Sequence, residues 1–249
     1  MGKHSPLCSA VLFCRDLLLH AVVPATCAHC KKDLRFRAEE PLCGTCAAGL
    51  KPLPEPFCKV CGVFLPDGGA HCWHCKSPSR RRLAKCSLIR SAYLFTPQLR
   101  SLIHALKYRA RPSLSEYLAG GAGPRLAACA ELAPYRTLVP VPLAAARQRE
   151  RGFNQSLLLA RALAKATGAS VLEGALFKVK NTPSQAGLDA EKRRDNLVGA
   201  FSAGGGLVSG REILLVDDVA TTGATMEACA AALKSAGARS VAGFTIGRE

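Results

Sequence analysis

Eight cysteines arranged as four Cys-x-x-Cys pairs between residues 27 and 75 restrict this chain more than any other feature. The pairs are Cys27/Cys30, Cys43/Cys46, Cys58/Cys61 and Cys72/Cys75, with 12, 11 and 10 residues between successive pairs. Each such turn offers two thiolates from one tight knuckle, and two knuckles complete the tetrahedron that zinc prefers. Eight ligands predict two zinc ions. The simplest assignment is sequential, 27/30 with 43/46 and 58/61 with 72/75; an interleaved cross-brace satisfies the same count. Because every ligand comes from the protein, no coordination position is open to water, so the metal is expected to staple the fold and not to catalyse. The other reading of this module is a platform for nucleic acid, with Lys31, Lys32, Arg35, Arg37 and Arg80–Arg82 contacting phosphates. His29, His71 and His74 lie among thiols that already complete both sites and are read as surrounding residues. Cys8, Cys14, Cys86, Cys129 and Cys229 are read as packing residues.

Thiols paired for zinc point to a reducing compartment, and the cytoplasm is the expected location. Residues 7–23 are apolar but interrupted by Arg15, Asp16 and His20. They fit neither a secretory signal nor a membrane span. The spacing of Leu7, Val11, Leu18 and Val22 predicts an amphipathic helix over residues 1–23. Residues 24–80 form the cysteine module, and Ser77 to Arg82 read as a linker. Residues 87–249 return to an α/β texture: a strand over Ser91–Phe95, a helical face at Leu99, Leu102, Ile103 and Leu106, and an extended TLVPVP at residues 137–142. A helix over Ser156–Lys165 stops near Gly168. A polar loop or hairpin covers 181–200. A buried strand spans Ile213–Val216, a helix Met226–Ser235 stops at Gly237, and a last strand covers Ser240–Ile246. Alternating strands and helices predict a mostly parallel sheet with helices on both faces.

The chain carries 34 Lys and Arg against 18 Asp and Glu, a formal charge of +16. The excess is shared between the halves: residues 1–90 hold 14 basic and 6 acidic side chains, which leaves 20 and 12 for the rest. This balance suits phosphate-rich partners, or simply a solvated basic surface.

The most informative stretch is ILLVDDVATTGAT, residues 213–225. An apolar strand leads into two acids, then a Thr-Gly turn and a helix. Beyond the carboxyl end of a parallel strand, backbone N–H groups and the positive helix end bind phosphate. Thr221, Thr222 and Thr225 add hydroxyls, and Gly223 allows close backbone approach. Asp217 and Asp218 would repel that phosphate but accept hydrogen bonds from vicinal hydroxyls, and one of them could help hold magnesium. The stretch thus predicts a sugar with a phosphate at one end and hydroxyls beside it. No Gly-Lys-Ser/Thr follows, which excludes a P-loop. Residues 139–156, VPVPLAAARQRERGFNQS, add Arg147, Arg149 and Arg151, suited to neutralising a pyrophosphate. His104 is expected to be partly buried; Tyr93, Phe95, Tyr108 and Phe153 could stack on a base, but are expected to pack in the core, Phe153 being the least settled of them.

ILLVDDVATTGAT resembles the binding signature of the type I phosphoribosyltransferases. With the cysteine module and the segments LIHALKYRARPSL, RGFNQS and NTPSQAGLDAEKRRDNLVGAF, the whole chain resembles the ComF family of competence-associated proteins, which includes ComFC and GntX. The resemblance implies a type I phosphoribosyltransferase-like parallel sheet flanked by helices, behind a double zinc ribbon at 24–80. It also implies a link to DNA uptake in natural transformation. Carried onto this sequence, Asp217 and Asp218 would hold ribose hydroxyls, and catalysis if there is any. Ala220, Thr221, Thr222, Gly223, Ala224 and Thr225 would cradle the 5′-phosphate of phosphoribosyl pyrophosphate. Residues 139–142 would form the pyrophosphate loop, and 181–200 a closing loop. Arg147, Arg151, Lys107 and Arg193 are candidate pyrophosphate contacts. The implied cofactors are two structural zinc ions, and magnesium with phosphoribosyl pyrophosphate. The implied partners are that ligand, single-stranded DNA and proteins of the competence machinery. An active transferase with a nitrogen acceptor and a binding protein for DNA uptake both stay open.

Overall fold

A computed structural model describes residues 25–35, 40–76, 83–108, 113–180 and 196–249. The expected N-terminal helix, most of the 181–200 loop, Arg37, Arg80–Arg82 and Arg193 lie outside the described residues. The sheet has five strands, β1 (Ile89–Leu94), β2 (Thr137–Pro140), β3 (Ser170–Val171), β6 (Glu212–Ala220) and β7 (Ser240–Arg248), in the order β1-β7-β6-β2-β3. Every pairing is parallel. A short antiparallel hairpin, β4 (Leu176–Lys178) with β5 (Phe201–Ala203), stands apart from it. β6 and β7 read as near-continuous apolar runs because both of their faces are covered.

One face packs on α1 (Pro97–Tyr108), α2 (Ser113–Ala128) and α4 (Gln155–Thr167). The other face packs on α5 (Ala224–Ser235) and the hairpin. The short α3 (Ala145–Arg151) links β2 to α4. Helices on both faces are as expected, with three local differences. The strand expected over Ser91–Phe95 begins earlier, at Ile89. The strand expected to end at Val216 continues to Ala220, so Asp217 and Asp218 sit inside β6, with Asp217 in register with Thr245 of β7. The third difference is α2, which sequence patterning does not reveal. Its interior carries Gly120, Gly121, Gly123 and Pro124, which score against a helix. Packing decides instead: a Cβ on Gly121 would stand against the Tyr93 hydroxyl, and one on Gly123 would come within 2.9 Å of Ala166 on α4. The glycines let two helices and a strand approach one another closely.

The cysteine module repeats itself. In each half the first pair lies in a turn closed by a β-bridge, Thr26 with Asp33 and then Phe57 with Phe64. In each half the first cysteine of the second pair directly precedes a single helical turn and the second lies within it, Gly44–Ala47 and then Trp73–Lys76. The halves then diverge in placement. Cys27, Leu42 and Cys46 join the core beneath α1 and α2, while Cys58, Cys61 and Cys75 join the core beneath α5. The connecting residues cross the outer edge of β1, where Leu53 N–H donates to Ala92 O and Leu94 N–H to Lys51 O, both at 3.0 Å. The module therefore covers an edge that would otherwise present unpaired backbone.

Candidate functional site

Residues 217–226 line a cavity of about 290 Å³ at the carboxyl end of β6. Gly223 adopts φ 81°, the left-handed region, and serves as the N-cap of α5. The turn from strand to helix is completed by Ala224 N–H donating to Thr222 Oγ1 at 3.3 Å. Leu83 and Ile89 lie directly behind Gly223, within 3.3 Å of where a Cβ would stand. The backbone here is pressed between a core and an open site.

The two acids are held differently. Asp217 Oδ1 accepts from Ser156 Oγ at 2.8 Å and from Asp218 N–H at 2.9 Å. Burial, then the neighbouring Asp218 charge, raise its carboxyl to about 8. Asp218 is 5 % exposed, and its Oδ2 pairs with the Lys107 ammonium at the end of α1. Arg147, Arg151 and Lys178 also line the cavity, so four basic side chains surround two acids. Burial, with the Arg147 charge adding to it, lowers the Lys178 ammonium.

The segment RGFNQS works residue by residue. Asn154 caps α4 by accepting from Ser156 N–H at 2.9 Å, and its Nδ2 donates to Val141 O at 3.0 Å. This ties the loop after β2 to the helix. Gln155, buried, accepts from Arg151 Nη1 at 3.1 Å. The Arg151 guanidinium also lies over the Tyr108 ring, 5.0 Å from its centre. Ser156 completes the run by holding Asp217.

The structure thus brings Asp217, Asp218, Ala220 to Thr225, Arg147, Arg151 and Lys107 into one cavity, together with Val141 and Pro142 of the 139–142 segment. Sequence reasoning missed Lys178, Gln155, Ser156 and the role of Asn154. The last three were legible as a helix-capping Asn followed by polar residues; Lys178 was not, because its hairpin has no sequence period. Two aromatic-region expectations fail. His104 is exposed and packs against Tyr108 with ring centres 4.6 Å apart and ring planes tilted by 40°, and Tyr108 itself is exposed rather than in the core. Tyr108 ends α1 beside Arg151, while His104, one turn earlier, lines a small pocket with Ala28 and Lys31.

The thiols resolve the pairing. Cys27, Cys30, Cys43 and Cys46 form one group and Cys58, Cys61, Cys72 and Cys75 the other, all Sγ atoms within each group lying within 4.8 Å of one another. A tetrahedral site with Zn–S bonds of about 2.3 Å needs sulfurs about 3.8 Å apart. Cys30 to Cys43 and Cys61 to Cys72 are each 3.7 Å. Sequential assignment therefore fits zinc without rearrangement. Hydrogen bonding from Cys61 lowers Cys58, while hydrogen bonding to Cys58 pushes Cys61 up, and burial raises Cys46 and Cys75 to about 12. Zinc would displace those protons.

Comparison with known proteins agrees with this geometry. Residues 18–77 match the double zinc ribbon domain and residues 155–246 the phosphoribosyl transferase domain. Competence protein F of Haemophilus influenzae is 32% identical over 230 residues, 86% of this chain and 93% of that protein. DNA utilization protein YhgH of Salmonella typhimurium is 32% identical over 229 residues, covering 88% and 95%. Competence protein ComFC of Bacillus subtilis is 27% identical over 245 residues, covering 93% and 97%. Among solved structures, a glutamine phosphoribosylpyrophosphate amidotransferase from B. subtilis shows a partial likeness, with TM-score 0.37 and 23% identity over 56% of this chain and 30% of that one. With two zinc-ready thiol clusters ahead of a phosphoribosyltransferase sheet, and similarity over most of its length to these competence and DNA-utilization proteins, the chain belongs to the ComF family.

Proposed function

We propose that the cavity at the end of β6 binds phosphoribosyl pyrophosphate with magnesium, and that the protein serves DNA uptake in natural transformation. The observation that carries this reading is the division of charge within one cavity. Two carboxylates stand on the strand, a Thr-Gly turn opens a helix beside them, and four cations ring the remainder. Asp217 and Asp218 take the ribose hydroxyls. Thr221 to Thr225 and the backbone of that turn take the 5′-phosphate. Arg147, Arg151, Lys107 and Lys178 take the pyrophosphate, beside the loop after β2. Lys107, now paired with Asp218, is positioned to serve either the acid or an incoming anion. Magnesium would be held by the same acids together with the ligand, neutralising pyrophosphate charge.

The names of the relatives, together with the net charge of +16, support single-stranded DNA and competence proteins as partners. Among the described residues no helix is long and apolar enough to cross a membrane. Work in the cytoplasm, where the thiols stay reduced for zinc, fits that role.

The four basic side chains beside the acids favour a second reading, an active transferase, because they could take up the charge of a departing pyrophosphate. A nitrogen acceptor would attack the anomeric carbon and form the C–N bond. The C–O bond to pyrophosphate would break with its electron pair on the leaving group, and the nitrogen would give up a proton that a carboxylate near neutral pKa could accept. Calorimetric titration with phosphoribosyl pyrophosphate and magnesium tests the first reading: binding should appear, and Asp217→Ala with Asp218→Ala should abolish it. No heat from the unmutated protein would sink the assignment. A pyrophosphate-release screen over nucleobases and amines separates enzyme from binder. DNA binding should weaken steeply as salt rises; indifference to salt would count against phosphate contacts.

A further inference from the structure

Arg248 ends β7 and is 4 % exposed. A guanidinium so buried needs partners for its N–H groups. Among the described residues its hydrogen-bond acceptors are main-chain carbonyls. Nε donates to Cys61 O at 3.1 Å, and Nη1 donates to Ala220 O at 2.8 Å, to Thr221 O, and to Glu249 O at 3.1 Å. Cys61 is a member of the second thiol cluster. Ala220 and Thr221 lead into the Thr-Gly turn. One side chain therefore joins a metal knuckle to the loop assigned to phosphate.

Peptide geometry gives the link a direction. In a trans peptide the C=O and the following N–H point opposite ways. Drawing the carbonyls of Ala220 and Thr221 onto Arg248 turns the N–H groups of Thr221 and Thr222 away from it. Arg248 lines no part of the cavity that holds Asp217 and Asp218, whereas Thr221 and Thr222 line it. The amides are thus aimed away from the guanidinium, on the side where an anion would sit.

Cys61 O is in turn fixed by its knuckle. Gly62 N–H closes the turn onto Cys58 O at 2.9 Å, and Ile89 N–H donates to Val60 O at 2.8 Å. The first cluster has a different neighbour: its His29 Nδ1 meets Ser101 Oγ of α1 at 2.9 Å, on the opposite face of the sheet. The two halves of the module, alike in local form, are wired to different places.

We propose that Arg248 is a positioning residue that couples the second zinc knuckle to the anion-binding turn. Metal at Cys58, Cys61, Cys72 and Cys75 then sets the order and affinity of Thr221–Gly223, and metal at the first cluster does not. The affinity part rests on the phosphoribosyl pyrophosphate reading above; the ordering part does not.

The experiment uses the full chain in five versions: unmutated, Arg248→Leu, Arg248→Lys, Cys72→Ser in the second cluster, and Cys43→Ser in the first. Zinc is counted by mass, amide exchange is read over residues 219–224 without ligand, and phosphoribosyl pyrophosphate with magnesium is titrated by calorimetry. Arg248→Leu and Cys72→Ser should each speed exchange in that turn and weaken binding by about 10-fold, a usual size for coupling between sites. Arg248→Lys keeps the charge with fewer fixed donors and should fall between. Cys43→Ser should leave both readings within about two-fold, on the expectation that distant sites add independently. If Cys72→Ser fails to fold, Cys72→His, which keeps a zinc ligand, should restore protection of the turn. Equal effects from both clusters, or unchanged exchange after loss of zinc from the second, would overturn the coupling. If the unmutated protein binds no phosphoribosyl pyrophosphate, the pocket reading fails, and amide exchange still decides the coupling.

Discussion

Glu227, in the first turn of α5, gathers the chain that connects the cysteine module to β1. Its Oε1 accepts from Ala84 N–H at 2.9 Å and Lys85 N–H at 2.8 Å, while Oε2 accepts from Lys85 N–H at 3.1 Å and Cys86 N–H at 2.9 Å. Three backbone donors converge on one carboxylate across more than half of the sequence. Hydrogen bonds to a charged group are each worth about 1.5–3 kcal/mol when buried. Ala84 and Lys85 are exposed, so water recovers most of their loss; Cys86 is 1 % exposed and its N–H has no such recourse. The acid also favours the positive end of α5, by about 0.5 kcal/mol. Glu227→Ala should therefore cost about 2–4 kcal/mol, and Glu227→Gln, which keeps one good acceptor, about half of that. The assay is denaturant unfolding of the zinc-loaded protein, with Glu173→Ala as reference. Glu173 pairs with Arg161 at 2.7 Å, but both are exposed, and such a pair is worth well under about 1 kcal/mol. If Glu227→Ala costs no more than Glu173→Ala, the three-donor clamp is not a structural anchor and the reasoning is refuted. The clamp has reach, because it holds the segment that includes Leu83, which lies behind Gly223.

Asp217→Asn should stabilise the ligand-free protein more as pH rises. A carboxyl raised from 3.8 to about 8 favours the folded state fully below pH 4, and that advantage is lost through pH 8. Since Asp217 lines an open cavity, we expect the gap between variant and unmutated protein to widen by about 1–2 kcal/mol from pH 6 to 8.5 in urea unfolding; a constant gap would count against it. The same variant should lose phosphoribosyl pyrophosphate. Metal analysis should give about two zincs per chain, and zinc uptake should release protons, read by calorimetry in buffers of different ionisation heat; uptake without protons would contradict the raised Cys46, Cys61 and Cys75 thiols. Gly223→Ala faces a φ of 81° and Ile89 at 3.1 Å, and should cost about 1–3 kcal/mol with loss of phosphate affinity; an unchanged melting temperature would show that the turn is not constrained.

What was readable in advance followed from local chemistry. Cys-x-x-Cys spacing declares metal because one turn makes both ligands, and ILLVDDVATTGAT declares a strand, a turn and a helix because all three are contiguous. Pairing of the knuckles was not readable, since both arrangements obey the same spacing and only packing on opposite faces of the sheet separates them. The true end of β6 was hidden for a related reason. Acids argue against a strand, yet Asp217 and Asp218 are tolerated there because Ser156 and Lys107 arrive from α4 and α1. The helix Ser113–Ala128 was hidden by its own glycines, which lower propensity and raise packing. Lys178 was hidden because its place in the cavity depends on a three-residue strand with no usable pattern.

The strand order carries a consequence for how the molecule is made. β7 lies between β1 and β6, so residues 240–248 complete a sheet whose first strand was synthesised far earlier. On the ribosome the eight thiols emerge before the sheet and can take metal while β1 has only residues 51–53 beside it. The knuckle at Cys61 has no contact with Arg248 until another 187 residues have been added. Parallel pairing at such separation is slow to form, so assembly divides into an early step that depends on zinc and a late one that depends on β7. Nascent chains stalled before residue 240 should already hold zinc yet leave Ile89–Leu94 open to protease. Protection of that strand before β7 has emerged would show that the order of assembly is otherwise.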